Sequence, residues 1–96
     1  MARQVIWSDP AWEDVEAAAQ YIGRDSESYA AAFVQNAKDA AGSLAHFAER
    51  GQVVPEISDE SIRELLVRPY RLIYRISADQ VLILTLVHGA LRDRRY

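Results

Sequence analysis

The sequence predicts an α+β fold in the order β-α-α-β-β-β, a helix hairpin packed on an antiparallel sheet, with residues 1–96 forming one domain. Three observations predict it. Apolar residues recur at helical spacing through the first half. From Ser61 the pattern becomes three β-rich runs. Only a few residues separate the two helical stretches, which makes them antiparallel neighbours.

Gln4 to Trp7 (QVIW) reads as a short strand. Ser8-Asp9-Pro10 reads as a helix start, with Asp9 as the cap and Pro10 at the first helical position, where its missing N–H needs no partner. Trp12, Val15, Ala19 and Ile22 follow on one stripe with Ala11 and Ala18 beside it, and Gly23 ends the helix. Trp7 and Trp12 are expected in helix–sheet packing. A second helix starts near Ser26 or Ser28, and its stripe is Tyr29, Phe33, Ala37, Ala40, Leu44 and Phe47. His46 lies beside that stripe and is expected to be a partly buried helix residue. Gly42 within it costs roughly 1 kcal/mol relative to alanine, which a close helix contact would explain.

Glu49 to Glu60 (ERGQVVPEISDE) reads as a loop. SIRELLV, YRLIYRI and QVLILTLV then read as strands, joined by Arg68-Pro69 and by a tight hairpin at Ala78-Asp79. In the second, Tyr70, Leu72, Tyr74 and Ile76 share one face and Arg71, Ile73 and Arg75 the other. QVLILTLV is apolar on both faces, so it is expected to be a central strand buried on both sides. The three strands form an antiparallel meander. The first strand joins the same sheet, because a lone strand is not stable.

Half of the residues are apolar, enough for one modest core. No 18-residue apolar run is present, so no membrane span is expected. The opening MARQVIWSDP lacks the apolar stretch of a signal peptide, and a cytoplasmic protein is expected. The absence of cysteine excludes a disulfide framework, a thiol nucleophile and a zinc–thiolate site. No cofactor and no metal are expected.

The net charge of −3 hides an asymmetry. Residues 1–60 carry four basic and eleven acidic side chains, net −7, and residues 61–96 carry seven basic and three acidic ones, net +4. All seven are arginines, whose planar fork matches phosphate or carboxylate. They are Arg63, Arg68, Arg71, Arg75, Arg92, Arg94 and Arg95. They read either as a contact surface or as solvated side chains on a sheet face. Arg71 and Arg75 have Glu64 on the neighbouring strand as a partner for a surface ion pair. His88, at a strand end, has an ordinary pKa of about 6.5 and suits an acid or base, although a structural hydrogen bond is the commoner use of such a residue.

The stretches WSDPAWEDVEAAAQYI, ERGQVVPE, IRELLVRPYRLIYRI and VLILTLVHGALRD, in this order, resemble the RelE/ParE family of toxins from bacterial type II toxin–antitoxin systems, on its ParE-like branch. The resemblance implies the same β-α-α-β-β-β fold and a toxin neutralised by a cognate, ParD-like antitoxin in a hetero-oligomer. DNA would be reached only indirectly, through the antitoxin. ParE-like members inhibit DNA gyrase by binding, whereas RelE-like members cleave messenger RNA on the ribosome. A ribonuclease would draw on Arg71, at the family's phosphate-contacting position, with His88 as acid or base and Tyr96 stacking or donating a proton. Against cleavage stand a pI near 5.3 and the single lysine, Lys38, on the second helix rather than the sheet. The expectation is therefore a gyrase-binding inhibitor with no catalytic residues. A ribonuclease and a non-toxic family member that only binds antitoxin are the alternatives. Contacts to target or antitoxin are expected from Tyr21, Tyr29 and Phe33 together with the seven arginines. The tail from Arg92 to Tyr96 is expected to be a contact element.

Overall fold

The chain orders its helices and strands as the periodicities predict, with one short strand added. A computed structural model describes residues 2–89. The elements are β1 (Gln4–Trp7), α1 (Asp9–Gly23), α2 (Glu27–Ser43), a 3-10 turn (Ala48–Arg50), β2 (Gln52–Val53), β3 (Ile62–Val67), β4 (Tyr70–Ile76) and β5 (Gln80–His88). The sheet order is β1-β5-β4-β3-β2. β3, β4 and β5 form the antiparallel meander, and β1 adds to it parallel to β5. β2 lies inside the stretch expected to be a loop. Its two residues pair with Glu64 and Arg63, too short a run to show period-2 alternation. Arg92, Arg94, Arg95 and Tyr96 lie outside the described residues.

The cap of α1 is Ser8, not Asp9. The Ala11 N–H donates to Ser8 Oγ at 3.2 Å, so the helix starts one residue earlier than expected, with Asp9 rather than Pro10 as its first residue. This register places Trp7 just before the cap and Trp12 at the fourth helical position. Their rings meet edge-to-face at 5.3 Å, a hydrophobic staple that sets the angle between β1 and α1. Ser26 caps α2 by accepting from the Tyr29 N–H. The helices pack through Ala11, Ala18, Ala37 and Ala41, all buried and small enough for close approach.

α2 stops at Ser43 because the next amides turn back on the preceding carbonyls, Leu44 N to Ala41 O and Ala45 N to Gly42 O. Leu44 remains buried, but His46 and Phe47 leave the helical stripe and are exposed, contrary to expectation. Tyr29 is also exposed, whereas Phe33 belongs to the core. A side chain on Gly42 would meet nothing within 4 Å, so no close helix contact accounts for that glycine.

The main core lies between the helices and one sheet face, around Val15, Leu44, Leu72, Tyr74, Val81 and Ile83, all fully buried. A smaller cluster of Val54, Ile62 and Ile73 lies on the other face, with Leu84 and Val87 packed against it. β5 is thus an interior strand, with β4 at the centre of the sheet, and its second face is only half-buried rather than buried. It also carries a bulge. Ile73 pairs with Thr85 and Tyr74 with Ile83, so Leu84 has no partner on β4. The extra residue shifts the alternation, and Val81, Ile83 and Leu86 all reach the helix-side core.

α1 satisfies the polar groups around the bulge. Asp14 accepts from Thr85 Oγ1 at 2.7 Å and from the Leu86 N–H at 3.0 Å, and Ser8 Oγ donates to the Leu84 carbonyl. Tyr74 fastens the other side of the sheet. Its hydroxyl donates to Ala48 O at 2.7 Å and accepts from the Gly51 N–H at 3.0 Å. A Cβ on Gly51 would lie 2.5 Å from both the Glu64 carbonyl oxygen and the Tyr74 hydroxyl, so only glycine fits there.

Tyr74→Phe leaves two buried backbone groups unpaired and should destabilise the fold by about 1–3 kcal/mol in urea unfolding. Burial raises the Tyr74 hydroxyl above its ordinary value of 10.0, against the pull of the Gly51 N–H and of Arg63 and Arg50. The folded state therefore holds this proton more tightly than the unfolded chain does. This contribution is complete below the unfolded value and is lost as pH rises through the folded one. Wild-type stability should fall above pH 10 more steeply than that of the phenylalanine variant.

Candidate partner-binding surface

The arginines and aromatics expected to act together are divided between the two sheet faces. On the helix side, Phe33, Tyr70 and His88 form a ladder of rings. Phe33 meets Tyr70 at 5.4 Å, and Tyr70 meets His88 edge-to-face at 5.3 Å. The sequence places them in register, because Tyr70 opens β4 directly opposite His88 at the end of β5. Gly89 then donates its N–H to the Pro69 carbonyl at 2.9 Å, and a Cβ there would crowd that oxygen at 3.1 Å. The end of the described chain is thus held against the β3–β4 turn. His88 is packed on Tyr70, a structural placement for a residue considered as a catalyst.

Beside this ladder, Ile22, Tyr29, Ala32, Phe33, Asn36 and the turn residues Arg68 and Pro69 line a groove of about 290 Å³. Tyr29, 72% exposed, stands at its rim, and Phe33, 5% exposed, is part of its floor. Phe33 is therefore a core residue that borders the groove rather than a free anchor. Tyr21, one residue before Ile22, is 65% exposed, and the Arg24 guanidinium lies 5.9 Å from its ring centroid. Arg68 is exposed in the turn. Of the expected contact residues, Tyr29 and Arg68 are thus accessible at one groove, and Tyr21 is exposed but is not among the residues lining it.

Arg71, Arg63 and Arg75 belong elsewhere. Arg71 pairs through Nη1 with Glu64 Oε1, and both side chains are buried, so the expected ion pair exists but not as a surface pair. Glu64 stands opposite Ile73 on the neighbouring strand, which puts Arg71 on the diagonal, within reach of a long side chain. Gln52 Nε2 donates to the second Glu64 oxygen at 2.7 Å. Arg71 Nε is buried with no hydrogen-bond partner. Arg63 is spent on the backbone, donating to the carbonyls of Glu60, Glu49 and Gly51. It fastens the segment before β2 onto β3. Arg75 is exposed.

Sequence reasoning missed Asp14, Ser8, Gly51 and Gln52, whose roles depend on contacts across the fold. The Trp7–Trp12 spacing around Ser8 was a usable signal for the cap. No helix among the described residues is long and apolar enough to cross a membrane.

A buried charge left without its partner costs about 3–5 kcal/mol, whereas replacing both partners by apolar residues is often neutral. Glu64→Ala should therefore lower the urea midpoint sharply, and Glu64→Leu combined with Arg71→Met should recover most of the loss. Equal loss in both variants would mean that packing rather than charge explains the effect.

The comparisons with known proteins agree with this architecture. The family of ParE toxins of type II toxin–antitoxin systems matches residues 5–91. Toxin RelE2 of Caulobacter vibrioides is 35% identical over 88 residues, covering 91% of this chain and 96% of that protein. A chain in the structure of the chromosomal ParDE system of P. aeruginosa superposes with a TM-score of 0.73 at 22% identity, covering 91% of this chain and 96% of that one. The family match spans β1 to β5, the full length of the sheet and helix hairpin described above, and on that ground the chain belongs to the ParE toxin family of type II toxin–antitoxin systems.

Proposed function

We propose that this toxin acts by binding DNA gyrase, with no catalytic step of its own, and that a ParD-like antitoxin neutralises it by docking in the groove beside Tyr29 and Arg68. The observation that carries the non-enzymatic reading is the buried Arg71–Glu64 pair. RNA cleavage on this fold needs positive charge turned toward a crowded phosphate. Here the guanidinium at that position is closed off by a carboxylate, which would also repel the phosphate. His88, the other candidate within the described residues, meets the Tyr70 ring edge-to-face. The acidic chain and the absence of lysine from the strands support the same reading. The groove supports the antitoxin assignment. It is apolar in its floor, has an exposed tyrosine at its rim, and borders an exposed arginine in the basic third of the chain, features suited to an amphipathic acidic segment.

Purified gyrase should lose supercoiling activity in the presence of the chain, while ribosome-bound messenger RNA stays intact in a parallel assay. Arg71-dependent cleavage would overturn this reading in favour of the ribonuclease, and no effect in either assay would favour a member that only binds antitoxin. Tyr29→Ala with Arg68→Glu should weaken antitoxin binding by roughly 30-fold or more in calorimetry, the effect expected of a tyrosine–arginine hot spot. Unchanged affinity would remove the groove from the interface.

A further inference from the structure

A second cleft, of about 370 Å³, lies at the opposite end of α2 from the Tyr29 groove. It is lined by Arg3, His46, Phe47, Ala48, Glu49 and Arg50. Residues 1–60 contain only four basic side chains against eleven acidic ones, and two of the four, 47 positions apart in sequence, converge here. The fold brings them together. The Arg3 N–H donates to Ala45 O, which ties the start of β1 to the turn after α2, and Arg3 Nε donates to Ser77 O at 2.9 Å. Arg50 Nη1 donates to Ser43 Oγ at 2.8 Å. Each guanidinium thus gives one nitrogen to the fold. Among the described residues no hydrogen bond engages its other two nitrogens.

Phe47 is 67% exposed, and its ring lies 6.4 Å from that of His46. Such a phenylalanine contributes little to folding, and nothing in the core requires it. The end of α2 carries a partial negative charge of about half a unit, and Glu49 adds a full one. Two guanidiniums outweigh these, so the cleft favours an anion. Its volume lies near the lower end of the small-ligand range and suits one base with its phosphate rather than a length of peptide. A single exposed ring beside two planar forks provides the two interactions a nucleotide needs, stacking for the base and bidentate hydrogen bonds for the phosphate.

We propose that this cleft binds a nucleoside monophosphate, free or at the 5′ end of a strand, with Phe47 stacking on the base and Arg3 and Arg50 holding the phosphate. This does not rest on the gyrase or antitoxin assignment, because none of its residues lies in the Tyr29 groove.

The test is a titration of the full chain with AMP, read by amide NMR shifts, beside inorganic phosphate and a 5′-phosphorylated tetranucleotide. Saturable shifts are expected at residues 3 and 46–50. Phe47→Ala should weaken AMP binding roughly tenfold while leaving inorganic phosphate unaffected. Glu49→Gln removes the one carboxylate in the cleft and should tighten AMP binding about two- to threefold, a gain that a misfolded variant cannot produce. Tighter binding of the tetranucleotide than of AMP would identify strand ends as the ligand, and the reverse order the free nucleotide. The proposal is overturned if AMP gives no saturable shift with a Kd below about 1 mM, or if AMP and inorganic phosphate bind alike and Phe47→Ala changes neither.

Discussion

The grip of Asp14 on the bulge of β5 is the interaction on which the two layers depend. β5 is paired on both sides, to β1 and to β4, and it is the strand against which α1 lies. Its bulge rephases the alternation so that Leu86 joins Val81 and Ile83 in the helix-side core. A bulge leaves ladder groups without partners, and a buried backbone N–H without a partner is costly. Asp14 of α1 supplies a partner for the Leu86 N–H and the cap Ser8 one for the Leu84 carbonyl, beyond the last β1 pair at Trp7–Ile83. The same two residues that complete the sheet therefore also set where the helix lies on it.

A comparable junction closes the far side. Between α2 and β3 the chain passes through a 3-10 turn and the two-residue strand β2, neither of which is stable alone. Tyr74 reaches from β4 through the core to bind both ends of the turn, and Arg63 reaches out from β3 to hold three carbonyls of the flanking chain. Gly51 is the residue that lets the chain come this close. The cleft lined by Arg3, Phe47 and Arg50 is a consequence, since the Tyr74 hydrogen bond to Ala48 fixes the position of its floor.

The division of the arginines decides how the molecule presents itself to partners. Arg68 is exposed at the Tyr29 groove, while Arg71 and Arg63 are consumed within the fold. A count of basic residues in the last third of the chain therefore overstates its available positive charge. A pair as deeply buried as Arg71–Glu64 is weak ground for added stability, because desolvation offsets much of the attraction. Its effect is rather to settle which charges remain on the surface.

Periodicity alone determined the order of the helices and long strands, the antiparallel meander and the faces of YRLIYRI. These follow from steric and burial rules that act within a few residues. Glu64 on the neighbouring strand was also legible as a partner for Arg71, since sequential strands pair, although Arg75 was legible as its partner too and the ion pair is with Arg71. The burial of that pair was not, nor was the loss of Phe47 from the helical stripe, the bulge at Leu84, the pairing of β2 or the choice of Ser8 over Asp9 as cap. The buried pair, the bulge and β2 depend on partners from other elements. The cap and the end of α2 are decided by hydrogen bonds within a single turn, which periodicity does not resolve. Thr85 and Leu86 meet Asp14 more than 70 positions away, and Tyr74 meets Ala48 across 26. Local pattern determines which segments are helix and which are strand, and only the packed structure, where each buried polar group must find its partner, decides which side chains remain free to bind.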